Sequence, residues 1–213
     1  MSEKEKDVDG KKSLFLKGLD FTYEKAIEGI GKFASSKELA EEYLEKYNND
    51  KKAAAKHMAN VQMAKCATSG FLTNLGGLLT LPIAIPADLS TVWFIQLRMI
   101  AAIAVMAGLN PKKDEVRTLC YVCLAGQSVA EAAKRLGIEF SKRTGYKMVG
   151  KVSAATLRAI NQKIGIKLFT KFGEKGIINL GKGVPLIGGV VGGGFDFLST
   201  SIVANKAIKE FLK

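Results

Sequence analysis

Two carboxylates stand alone in long apolar stretches. Asp88 follows 22 consecutive uncharged residues, Cys66 to Ala87, and nine more follow it, while Asp196 is the single charge between Gly183 and Ala204. Apolar surroundings disfavour an ionised carboxyl and raise its pKa, so a pair of such acids in a cleft would suit general acid and base work, as in a hydrolase. A structural role is the expectation adopted, because an unpaired buried charge costs several kcal/mol and such groups normally find partners. Asp88 would then cap the helix that follows Pro86-Ala87, and Asp196 would be satisfied by Lys182, Arg98 or a helix end.

Cys120 and Cys123 are spaced to put both sulfurs on one helix face, and Cys66 with His57 would complete four zinc ligands. The redox form of C-x-x-C normally opens a helix, where the dipole activates the first thiol, and zinc sites commonly combine two paired motifs. This sequence offers neither context, so buried, inert thiols are expected, with no metal or other cofactor. His57 is the only histidine. It lies in an alanine-rich stretch with no nucleophile motif nearby, and reads as a surface or packing residue. The glycine runs match neither G-x-x-x-x-G-K-[ST] nor a strand-turn-helix dinucleotide fingerprint. No catalytic residues are assigned, and a non-enzymatic protein is expected.

Charge is the stronger signal. Residues 138–182 contain ten Lys or Arg against two Glu, a net of +8 within a chain of net +12. Val152, Leu157, Ile160, Ile164, Leu168 and Phe172 form one helical stripe there, with Lys163, Lys167 and Lys171 beside it. A basic amphipathic helix can be a solvated face, a nucleic-acid contact or a dock for anionic lipid. Nucleic acid is disfavoured, since no recognition module or aromatic stacking platform is visible. Lipid docking would use Arg158, Lys163, Lys167, Lys171 and Lys175, with Ile160, Ile164, Leu168, Phe169 and Phe172 as anchors if some of them face outward.

Residues 1–12 read as a charged, disordered tail and 13–213 as one helical domain. From Leu14, the positions Leu19, Tyr23, Ala26, Ile27, Ile30 and Phe33 make an amphipathic stripe. Ser35 with Glu38 is a capping box for a second helix through about Tyr47, and Asn48-Asn49-Asp50 a turn before a third over about 51–69. The uncharged stretch from Cys66 is long enough to span a bilayer, but Pro82, Pro86 and Gly76-Gly77 break it. A buried core segment or shallow re-entrant hairpin fits better. Residues 87–109 predict a helix apolar nearly all round, at the centre of a bundle or in lipid. Asn110-Pro111 should open the next helix, ending at Gly137. Gly188 with Gly192, and Gly189 with Gly193, have the small-xxx-small spacing that brings helix backbones close, although a loop would also accommodate them.

The whole composition agrees with this reading. With 213 residues and 47% of them hydrophobic, the chain can bury a core without disulfide or metal. The amino terminus, MSEKEKDVDGKK, has no apolar secretory core, so a cytoplasmic product with reduced cysteines is expected.

Three blocks in order, SGFLTNLGGLLTLPIAIPADL, LRMIAAIAVMAGLNPKKDEVRTL and KFGEKGIINLGKGVPLIGGVVGGGFD, resemble the EcsC family, bacterial proteins named for a gene beside those of an ABC transporter. The resemblance covers about residues 50–205. It implies a helical domain and an association with membranes or transport, and no catalytic residues. The expectation is an all-α, single-domain bundle around the central apolar helix, with its glycine-rich C-terminal segment packed closely on it. It would bind anionic lipid or a membrane protein peripherally, on the inner face of the membrane. The runner-up is a soluble scaffold that binds a partner protein through the same basic face.

Overall fold

Among the described residues every regular element is an α-helix. The computed structural model describes residues 3–67, 87–127, 153–172 and 190–212. They form α1 (Glu3–Glu28), α2 (Ser36–Lys46), α3 (Lys51–Ala67), α4 (Ala87–Met106), α5 (Asp114–Leu124), α6 (Ala154–Phe172) and α7 (Val190–Phe211). The proline- and glycine-broken segment 68–86 and the residues around Gly137 lie outside the described residues.

The apolar helix is the axis of the bundle. From Thr91 to Ala104 every residue of α4 is buried, and α4 packs against α1, α2, α3, α5 and α7. A helix with no polar face must be surrounded on all sides, and this one is. Its polar side chains meet partners inside the bundle. Gln96 donates to Thr200 Oγ1 at 3.0 Å, which ties α4 to α7. The packing is extended by Phe15 on α1, which meets Trp93 edge-on at 5.5 Å and Phe169 of α6 at 5.3 Å. Within the described residues, α7 packs most extensively on α3, with α4 and α5 as further neighbours.

Local chemistry sets the helix ends. Glu38 N–H donates to Ser35 Oγ and Glu38 Oε2 accepts from Ser35 N–H, so the capping box forms as the sequence predicts. The Asn48-Asn49 turn has φ of 49° and 63°, and Asp50 Oδ1 accepts from Lys52 and Ala53 N–H to start α3.

Four expected boundaries move. α1 begins at Glu3, not Leu14, and Lys11–Asp7 and Lys12–Asp9 pairs lie along its charged first turns. It also stops before its apolar stripe does. Gly29, at φ +87°, ends the helix, and Ile30 and Phe33 exchange backbone hydrogen bonds in a tight turn instead. Asn110-Pro111 opens a turn instead of a helix: Asn110 Oδ1 accepts from Lys112 N–H, and α5 starts at Asp114. That helix ends at Leu124. Gly126, at φ +68°, donates to Cys123 O while Gln127 donates to Val122 O, the paired bonds of a left-handed helix stop.

Candidate functional site

α6 presents its two stripes in opposite directions. Leu157, Ile160, Ile164 and Leu168 are buried against the bundle, whereas Arg158 and Lys163 are exposed and Lys167 is half-buried. Gly165 lets the helix lie close to α1, because a Cβ there would meet the Leu16 side chain. Lys171 and Phe172 belong to the last turn of α6, and their side chains, like Lys175, are outside the described residues. The basic face is therefore present. Of the expected anchors, Ile160, Ile164 and Leu168 point into the core instead and the half-buried Phe169 meets Phe15 edge-on. A single helix could not offer the same stripe to both core and lipid, and burial against the bundle has won.

Where α6 meets α1 and α5, a cleft of about 360 Å³ opens, with Leu16, Leu19 and Leu157 among its apolar lining. Four charged residues line it: Asp20, Asp114, Arg117 and Arg158. Tyr121 donates its hydroxyl to Asp20 Oδ1 at 2.6 Å. Burial, and then the Asp20 carboxylate, keep that phenol protonated well above its ordinary range. The Arg117 guanidinium lies 5.2 Å from the Tyr23 ring centroid and reaches Asp20 at 3.9 Å and Glu24 at 3.7 Å. Sequence reasoning missed this cleft. The visible signal was Asp20 and Glu24, four apart on α1, facing a lone arginine on a mostly apolar helix.

Arg98 occupies the centre of the bundle, 3% exposed. It donates to Ala34 O at 3.2 Å and Gln62 Oε1 at 3.3 Å, and its guanidinium carbon lies 5.5 Å from the ring centroids of both Phe33 and Phe94. Both of its hydrogen-bond acceptors are neutral oxygens; Arg98 is one of three partners, with Lys182 and a helix end, expected for Asp196. Asp196 sits on α7, with its carbonyl accepting from Ser199 Oγ at 3.1 Å. Asp88 is in the first turn of α4, and its side chain is outside the described residues. Neither acid is among the residues that line the cleft.

The three cysteines are free and buried, Cys66 on α3 and the other two on α5. Burial pushes the Cys66 thiol up to about 11 and Cys120 to about 12. Among the described residues no group of three His, Cys, Asp or Glu is gathered as a metal site requires. His57 packs beside the rings of Tyr47 and Tyr43, at 5.2 and 6.0 Å. Of the four glycines, Gly192 and Gly193 are helical, in the first turn of α7, and Gly188 and Gly189 lie outside the described residues.

Fold and surfaces together define an all-helical bundle protein, with its charged chemistry at a helix seam and on one outer helix. The chain belongs to the EcsC protein family, which matches residues 11–212. The match reaches well beyond the three motif blocks, taking in α1 from Lys11 onward and the whole of α2. No curated protein and no solved structure matches the chain. Among the described residues, no helix is long and apolar enough to cross a membrane.

Proposed function

We propose that this protein is a non-enzymatic, peripheral membrane-surface protein that attaches to anionic lipid through the outer face of α6. The observation that carries the reading is the composition of that helix: Arg158, Lys163, Lys167 and Lys171 with no carboxylate in 19 residues. Its apolar side is committed to the core, so the outward side acts by charge. Each Lys or Arg near an anionic leaflet contributes on the order of 1 kcal/mol, and four give roughly millimolar attachment that salt weakens.

Cells producing the protein should yield it in the membrane fraction at low ionic strength, and a salt wash should release most of it without detergent. Protein that is soluble at every ionic strength and co-purifies stoichiometrically with one partner protein would favour the scaffold reading instead. Retention through salt and carbonate washes would refute peripheral attachment.

A further inference from the structure

The α1–α5–α6 cleft holds polar groups that the outward face of α6 does not use. Arg117 Nε is buried and donates to no group, and Asn161 Oδ1 is buried and accepts from none. Both residues line the cleft. The other Arg117 nitrogens stand 3.9 Å from Asp20 and 3.7 Å from Glu24, too far for good hydrogen bonds, so the guanidinium keeps donors for a closer acceptor. Leaving such groups buried and unmatched costs free energy that a ligand of the right pattern would recover. At about 360 Å³ the cleft lies near the small end of the range that small-molecule sites occupy, roughly 300–1,000 Å³.

Charge balance decides the ligand class. Two guanidiniums, on Arg117 and Arg158, and two carboxylates, on Asp20 and Asp114, line one space. A bare oxyanion is attracted by the first pair and repelled by the second, and a bare ammonium the reverse. A molecule carrying both charges gains at each end. We propose that this cleft binds a small zwitterion, its carboxylate or phosphate against Arg117 and Arg158, and its ammonium against Asp20, Asp114 and Asn161 Oδ1. Guanidinium suits either oxyanion, because its planar fork of donors matches both geometries. Such chemistry is found in a free amino acid and in the phosphoethanolamine headgroup of a lipid.

Calorimetric titration of the full chain with phosphoethanolamine, alanine, inorganic phosphate and ethanolamine separates these cases. Saturable one-to-one binding of phosphoethanolamine or alanine, at least tenfold tighter than either phosphate or ethanolamine, is expected. The tighter of the two identifies the source, headgroup or amino acid. Arg158→Gln, at an exposed position where folding is little at risk, should weaken that binding about tenfold, and Asn161→Leu should do so with helix content unchanged by circular dichroism. Inorganic phosphate binding as tightly as the zwitterions, or no saturable binding by any of the four, overturns the proposal. No membrane is present in this titration, so its failure leaves the α6 reading untouched.

Discussion

Arg98 is a cation in an apolar bundle that meets neutral oxygens and aromatic faces: Ala34 O, Gln62 Oε1, Phe33 and Phe94. Burial favours its neutral form and lowers its pKa, partly offset by Glu42 and Tyr43. Removing the side chain would leave a void between two rings and strip Ala34 O of its donor, so Arg98→Ala should cost about 2–4 kcal/mol. Arg98→Met fills the space and removes the desolvated charge, and should cost under about 1.5 kcal/mol. Equal losses in urea unfolding would mean that the hydrogen bonds, not the packing, dominate. A second residue-scale expectation concerns pH. Cys66 and Cys120 titrate natively near 11 and 12 against an ordinary 9.0, and Tyr121 and Cys123 are raised as well. A raised native pKa means the folded state holds protons the unfolded chain has lost. The stabilisation is therefore complete below pH 9 and disappears as pH climbs towards 12, at about 1.4 kcal/mol per group per pH unit. The urea midpoint should fall steeply above pH 9, and a midpoint flat to pH 11 would contradict this burial.

At the scale of elements, turn geometry is where substitutions discriminate. Gly29 and Gly126 both have positive φ, +87° and +68°. A Cβ at Gly29 would stand 2.6 Å from Phe33 O and 2.9 Å from Ser35 N, backbone atoms that cannot swing aside, whereas at Gly126 the nearest atom is Ile202 Cγ2 at 3.6 Å. Gly126→Ala should therefore cost about 1 kcal/mol, the left-handed backbone alone, and Gly29→Ala at least about 1 kcal/mol more. Thermal unfolding of the two variants orders them, and equal shifts would show the 29–35 turn to be pliable. Helices and caps were largely legible in the sequence, because Ser35-x-x-Glu38, Asp50 and the 3.6-residue stripes act through neighbours in the chain. What was not legible depended on distant residues. The stripe to Phe33 outlasts α1 because Phe33 packs on Phe94 at 6.0 Å. Ile160 and Leu168 face inward because α1 and α5 cover α6. The cleft exists only where three helices from separate stretches meet.

At the scale of the molecule, the apolar and basic signals lie on different surfaces among the described residues. The described apolar residues largely surround α4, and on α6, the described part of the basic region, Arg158 and Lys163 are exposed and Lys167 is half-buried. Some apolar surface remains exposed on α7, where Leu198 is 63% and Ile202 56% exposed. Separation of the two signals makes charge the central claim, and charge responds to salt in a measurable way. The most direct test is sedimentation of the wild-type protein and a Lys163→Gln, Lys167→Gln, Lys171→Gln variant with phosphatidylglycerol-containing vesicles over a range of salt. Three lost charges correspond to about 3 kcal/mol, so the variant should bind roughly 100-fold more weakly, and wild-type binding should fade as salt rises. Equal binding of both proteins, or wild-type binding indifferent to salt, would contradict attachment through α6.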